Sequence, residues 1–130
     1  METLINEYIL RLDATEQAIC FKIKDMITLE YGMEEAKIWH AHPVWFINQN
    51  PIVGFSKQNK GIRLMFWSGV DFDEPLLSVK GKKFKDASIF YQEVNEVVEE
   101  DLKRWLEKGK NIQWDYKNLV KRKGELLKLF

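Results

Sequence analysis

The chain lacks the cysteine pairs, the long apolar runs and the signal segment that are typical of secreted and membrane proteins. Its 130 residues include a single cysteine, Cys20, so no intramolecular disulfide can form, and we expect a protein of the reducing cytoplasm. No run approaches the roughly 18 apolar residues of a membrane span. The first residues lack the basic start and unbroken apolar run of a secretory signal. A membrane is therefore not an expected partner.

The chain also lacks an excess of positive or negative charge, and it lacks the common catalytic motifs. It has 20 basic and 20 acidic residues, whereas a nucleic-acid binder usually carries a basic excess. Nucleic acid is therefore not an expected partner, although a local basic patch remains compatible with these numbers. There is no GxSxG elbow, no phosphate-binding loop and no recognisable acid–base set. These absences favour a non-enzymatic protein and leave catalysis undecided.

Apolar residues at helical spacing predict helices at both ends of the chain. An N-terminal pair occupies residues 2–31. Its second helix begins after Asp13, which together with Glu16 three residues later has the spacing of a capping box. A C-terminal pair occupies residues 95–128, with its last helix starting near Asn111. Acidic residues fill the early turns of the first C-terminal helix and basic residues fill its late turns, as the helix macrodipole favours.

The middle of the chain changes to short β-rich runs separated by turn residues. Residues 36–92 contain four or five such runs, with tight connections at NQNP (48–51) and KQNKG (57–61). Residues 71–86 are polar enough for a long surface loop. Strands between helices predict one α+β domain over residues 1–130, with a mostly antiparallel sheet covered on one face by the terminal helices.

Aromatic residues and one arginine fall on the predicted strands. In the run IRLMFW (62–67), alternation places Arg63, Met65 and Trp67 on the face opposite Ile62, Leu64 and Phe66. Arginine holds a carboxylate or phosphate bidentately, and an aromatic floor beside it suits a planar or anionic ligand. The predicted ligand-binding residues are Trp39, His40, Trp45, Arg63 and Trp67. A simpler interpretation is an arginine stacked on tryptophan, or a salt bridge across the sheet.

The segment WHAHPVWF (39–46) contains both histidines of the chain. In an extended strand, residues two apart share a face, so His40 and His42 are placed to approach one metal ion. Glu34 and Glu35 are nearby carboxylates, and the four side chains together form the candidate metal site. The alternative is a pair of rim or core histidines hydrogen bonded to backbone or carboxylate groups.

Three segments together resemble the YdhG-like family, a domain of unknown function. They are KIWHAHPVWFINQNPIVGFSK (37–57), GIRLMFWSG (61–69) and DLKRWLEKGK (101–110), and the resemblance extends over roughly residues 4–110. The family pattern contains an N-terminal helical segment, a strand ending in a proline motif, an NPIVGY-type strand and a C-terminal helix. The resemblance implies an α+β fold with an antiparallel sheet, similar in outline to frataxin.

Some members of that family are described as frataxin-like iron chaperones. The resemblance thus implies an alternative function, in which surface carboxylates hold iron and deliver it to iron–sulfur or haem assembly. The candidate carboxylates are Glu34, Glu35, Glu96, Glu99, Glu100 and Asp101.

The preferred hypothesis is a small non-enzymatic cytoplasmic binding protein. Its ligand, a small molecule or a protein, would lie on the aromatic and arginine-lined face of the sheet. No cofactor is expected, and iron enters only under the alternative. The apolar end of the last helix would suit packing against a second subunit, so a homodimer is one arrangement that the sequence allows.

Overall fold

Two helices, an antiparallel sheet and a third helix follow one another along the chain. The computed structural model describes residues 2–130. Its helices are α1 (Glu2–Leu10), α2 (Ala14–Tyr31) and α3 (Glu99–Asn111). Its strands are β1 (Lys37–Trp39), β2 (His42–Ile47), β3 (Asn50–Gln58), β4 (Gly61–Phe66), β5 (Val79–Lys80) and β6 (Ala87–Tyr91). The predicted α+β class is confirmed, with one strand more than the upper prediction.

The strands form one sheet in the order β1-β2-β3-β4-β6-β5, and every neighbouring pair is antiparallel. Both predicted tight connections are confirmed, because β2 and β3 are joined through residues 48–49 and β3 and β4 through residues 59–60. The two edge strands are short, with three residues in β1 and two in β5. Short edge strands offer little backbone for pairing with another chain.

Helix α2 begins and ends where the sequence predicts. The Asp13 carboxylate accepts a hydrogen bond from the Glu16 N–H at 2.8 Å, and the Glu16 carboxylate accepts one from the Asp13 N–H at 3.0 Å. At the other end, Gly32 has φ 75° and its N–H donates to the Thr28 carbonyl at 2.8 Å. Glycine adopts this positive φ at little cost.

The main core lies between the helices and one face of the sheet. Ile62, Leu64 and Phe66 point into it, which confirms the predicted alternation along β4. Cys20 is fully buried there, and burial raises the pKa of its thiol to about 12. A Cβ at Gly109 would lie 2.5 Å from the Tyr31 hydroxyl, so this glycine lets α3 pack closely against α2.

The predicted last helix from Asn111 is wrong. Helix α3 ends at Asn111, and residues 112–130, the C-terminal tail, form turns that fold back on themselves. The Asp115 N–H donates to the Leu127 carbonyl at 2.7 Å, and the Gln113 N–H donates to the Phe130 carbonyl at 2.8 Å. The reversal lies between them, at Lys123 (φ 55°) and Gly124 (φ 93°), and a positive φ at two successive residues cannot continue a right-handed helix.

The predicted surface loop at residues 71–86 is more structured than expected. A 3-10 turn covers Gly69–Phe72, strand β5 pairs with β6, and both Phe72 and Leu77 are buried. The sequence did not indicate that these two apolar side chains are buried, because half of the residues around them are charged.

No helix within residues 2–130 is long and apolar enough to cross a membrane.

Candidate functional site

His40 lies in a tight turn, and His42 begins the strand that follows it. His40 and Ala41 have φ values of 52° and 70°, and Trp39 pairs with His42 across the resulting hairpin. Two successive positive φ values are typical of a type I′ turn. The prediction that His40 and His42 share the face of one strand is therefore wrong, because the chain reverses between them.

The surroundings of the two histidines differ accordingly. His40 is exposed and lies beside Trp39, with 4.1 Å between the ring centroids. His42 is half-buried and stacks on Trp67, with 6.3 Å between the centroids and 28° between the planes.

The predicted metal site is not assembled. Glu35 uses both carboxylate oxygens to accept the N–H groups of Asn48 and Gln49, at 2.9 and 2.6 Å, and so caps the β2–β3 turn. Across residues 2–130, no three His, Cys, Asp or Glu side chains are grouped as metal ligands. The set of His40, His42, Glu34 and Glu35 is thus corrected: sequence proximity did not translate into a common site.

Most carboxylates that the family resemblance implies for iron already have partners. Glu96 accepts the N–H groups of Gln92 and Glu93, at 2.6 and 3.0 Å. Asp101 lies 3.0 Å from Arg104, and Glu99 lies 3.5 Å from Lys22. Iron binding by this chain stays a prediction.

The sheet face away from the helices carries a second apolar cluster. We call this face the outer face, and its members include Trp39, His42, Val44, Phe46, Arg63, Met65 and Trp67. Met65 and Trp67 lie there with Arg63, as the alternation along β4 predicts. Trp67 lies at the centre and is only 7% exposed. Its ring centroid is 6.0 Å from that of Trp39.

Gly54 in β3 makes room for the Trp67 indole. A Cβ on Gly54 would lie 3.3 Å from Trp67 Cζ3 and 2.6 Å from the Pro43 carbonyl oxygen. A lone glycine within a strand often marks such a close approach. The glycine of NPIVGF was therefore a readable signal of this contact.

Trp45 belongs to the other side of the sheet. It is 1% exposed, lies in the main core and packs against Phe55 with 5.8 Å between the ring centroids. Since Val44 and Phe46 take the outer face, alternation turns Trp45 toward the helices. Its predicted place beside Arg63 is therefore wrong.

Arg63 is the charged group of the outer face. Its Nε donates to the Ser88 hydroxyl at 2.9 Å, and one Nη lies 3.0 Å from the Met65 sulfur and 3.4 Å from the Asp86 carboxylate. The other Nη makes no hydrogen bond with residues 2–130. The side chain is 29% exposed, so the predicted salt bridge across the sheet is present and the guanidinium still reaches solvent.

The surroundings of His42, Arg63 among them, lower the pKa of its imidazole. Burial lowers the pKa of His42; the Pro43 carbonyl opposes this with a smaller effect, and the positive charge of Arg63 adds a small further lowering. The lowered pKa favours the uncharged imidazole. An anion bound at Arg63 would act in the opposite direction and raise the pKa of His42.

Tyr116 from the C-terminal tail closes one end of the outer face. Its hydroxyl donates to the Trp67 carbonyl at 2.6 Å and accepts the Lys85 N–H at 3.0 Å. The ring packs against the outer cluster, and burial raises the pKa of the phenol. The sequence placed Tyr116 on a helix, and no local signal pointed to this contact.

Comparisons of the chain with protein-family models, curated proteins and solved structures find no match. The resemblance to the YdhG-like family stays a prediction from motifs.

Proposed function

We propose that this chain is a non-enzymatic, cytoplasmic binding protein that holds its ligand on the outer face at Arg63. The observation that carries this proposal is the state of the guanidinium. Ser88 and Asp86 fix its position, one Nη has no hydrogen-bond partner within residues 2–130, and the side chain is 29% exposed. An oriented and partly desolvated arginine loses little side-chain entropy when it binds an acceptor.

The neighbouring groups define the chemistry of the ligand. The guanidinium suits a carboxylate, His42 adds a polar ring whose lowered pKa favours the uncharged form, and half-buried Trp39 pairs with His42 across the β1–β2 hairpin. An aromatic carboxylate matches this set, on a small molecule or on a protein partner. Its acid group would compete with Asp86 for the guanidinium. The distance of 3.4 Å between Asp86 and Arg63 is long for an ion pair, so this competition is weak.

This competition provides the sharpest test. Ligand-observed NMR with benzoate and 2-naphthoate should detect binding by the native chain. Asp86→Asn should strengthen it, because the competing charge is removed. Arg63→Met should weaken it roughly 10- to 100-fold, the range expected for a lost charge-assisted hydrogen bond. Arg11→Met, at an exposed arginine following α1, is the matched control and should leave binding unchanged.

A purely structural Arg63 gives a different pattern. In that case neither aromatic acid binds the native chain, and Asp86→Asn creates no binding while it lowers the stability of the fold. Failure of both acids to bind the native chain, or failure of Asp86→Asn to strengthen binding, would overturn the proposal. Chemical-shift titration of His42 gives a second readout, since a bound carboxylate should raise its pKa.

A further inference from the structure

The neutral net charge conceals a strongly uneven distribution. Residues 80–86 and 114–130 together contain nine basic and three acidic residues, a net charge of six positive. Since the whole chain is neutral, the remaining residues carry six net negative charges. The charge balance of the chain therefore says nothing about this part of the surface.

The fold brings the two basic segments together. The rings of Phe84 and Tyr116 have centroids 6.1 Å apart, and the Lys85 N–H donates to the Tyr116 hydroxyl. The ammonium of Lys85 lies 4.7 Å from the centroid of a Trp114 ring, and that of Lys128 lies 6.0 Å from it. Lysines from both segments thus gather around one tryptophan.

Most of these cations have no carboxylate partner. Among the salt bridges of residues 2–130, the nine basic residues take part in two, Arg122 with Asp115 and Lys128 with Asp71. Six of the remaining lysines are exposed and the seventh is half-buried. These seven are Lys80, Lys82, Lys83, Lys85, Lys117, Lys121 and Lys123.

Exposed apolar side chains are concentrated in the same two segments of the chain and just before the first of them. The large hydrophobic residues that stand exposed in residues 2–130 number ten, and six of them lie in these segments or within four residues of them. Val120 is 90% exposed. The six are Leu76, Val79, Val120, Leu127, Leu129 and Phe130. We call the two basic segments with these six residues the basic–apolar surface.

The combination distinguishes two anionic partners. A nucleic acid would neutralise the lysines, but it gives aliphatic side chains no apolar interior to enter. An anionic bilayer can bind both the lysines and the apolar side chains, because its headgroups attract lysines and its acyl boundary accepts leucine, valine and phenylalanine.

We propose that the basic–apolar surface docks on membranes that contain anionic phospholipids. The contact is peripheral and needs no spanning helix, so it is compatible with the absence of one from the described residues. The expectation that a membrane is not a partner rests on the lack of an apolar span and of a secretory signal, and neither bears on a surface contact. This site is separate in chemistry from the proposed carboxylate site at Arg63.

Vesicle flotation with the full chain tests the electrostatic part. We expect binding to phosphatidylcholine vesicles that contain about 30% phosphatidylglycerol, and none to pure phosphatidylcholine. The double variant Lys82→Gln/Lys121→Gln should lower the partition coefficient roughly 30-fold, at about fivefold for each lysine. Lys60→Gln/Lys103→Gln removes two exposed lysines elsewhere and is the matched control.

A second pair of variants tests the apolar part at constant charge. Leu127→Ser/Phe130→Ser should weaken binding to the anionic vesicles, whereas Leu10→Ser/Leu29→Ser, at exposed leucines elsewhere, should not. All eight positions are exposed, and circular dichroism checks that each variant folds.

Three results would overturn the proposal: no binding to anionic vesicles at low salt, equal losses in test and control pairs, or tight binding of a single-stranded oligonucleotide that Leu127→Ser/Phe130→Ser leaves unchanged. The last result would assign the surface to nucleic acid.

Discussion

Glu74 ties the segment after β4 to helix α3, and its removal should measure what that connection contributes to stability. The carboxylate is 7% exposed and accepts from two nitrogens of Arg104 at 2.8 and 2.9 Å. It also accepts from Trp105 Nε1 at 2.8 Å and from Lys108 Nζ at 2.6 Å. Glu74→Gln keeps the size and one acceptor oxygen but removes the charge that two cations share.

The expected loss of stability is about 2 kcal/mol. A hydrogen bond to a charged group contributes about 1.5–3 kcal/mol, and breaking a fully buried ion pair costs more. Arg104 and Lys108 are 46% and 31% exposed, so solvent screens part of their interaction with Glu74. Urea unfolding at pH 7, followed by tryptophan fluorescence, measures the difference. Glu107→Gln is the control, since Glu107 is exposed and has one cation at 3.6 Å.

The pH dependence identifies the charge as the cause. Hydrogen bonds from Arg104, Lys108 and Trp105 hold the pKa of Glu74 far below its usual range, despite the opposing effect of burial. A lowered pKa in the folded state stabilises the fold above the unfolded pKa of about 4.3, and this stabilisation is lost as the pH falls. The difference in the free energy of unfolding between the native chain and Glu74→Gln should therefore become smaller below about pH 4. A gap that stays constant down to pH 3, or no gap at pH 7, would refute the reasoning.

Three further predictions concern the outer face and its turns. Gln49→Gly should raise the free energy of unfolding by about 0.5–1 kcal/mol, because Gln49 has φ 69° and Asn-Gly is preferred in a type I′ turn; urea unfolding checks this. Gly54→Ala should lower it by about 1–3 kcal/mol through overpacking against the Pro43 carbonyl and Trp67; an unchanged midpoint would contradict the close approach. Since the pKa of His42 is lowered, the native fold should lose stability below about pH 6.5, and His42→Phe should reduce that loss relative to His40→Phe.

The features that the sequence predicted correctly are those with a local physical cause. The capping box of Asp13 and Glu16 and the alternation of Arg63, Met65 and Trp67 each depend on neighbours a few residues away. Such patterns are written in the chain itself. The α+β class follows from them, because a sheet between helices must bury one face.

The errors arose where the outcome depends on distant contacts or on turn geometry. The apolar residues of the C-terminal tail fit a helix, but positive φ values at Lys123 and Gly124 reverse the chain. Neither His40 nor Ala41 is a glycine, the residue that usually indicates a type I′ turn. The sequence therefore predicts a strand through this part of WHAHPVWF, where the structure has a turn. The predicted metal site depended on that interpretation, and the described residues group no three metal-ligating side chains there.

The placement of Trp45 shows how one misjudged strand changes a proposed site. The alternation along β4 predicts the face of Trp67 correctly, whereas the aromatic composition of β2 does not indicate the face of Trp45. Val44 and Phe46 occupy that face, and Trp45 lies in the main core with an indole N–H that has no hydrogen-bond partner among residues 2–130. Applying the period-two rule from His42 would have placed Trp45 inside and left His42 beside Trp67.

Net charge is the quantity that concealed most about possible partners. A sum over the chain treats residues as if they were evenly mixed, yet association depends on the potential over the few ångströms that a partner contacts. Here the folded tail brings its cations next to those of residues 80–86, while the compensating acidic residues lie elsewhere in the chain. A zero sum therefore argues against a uniform polyanion-binding protein, but it does not argue against one basic surface. The tail that the sequence predicted as a helix is also the element that brings these cations together, so the basic surface could not be predicted from the sequence.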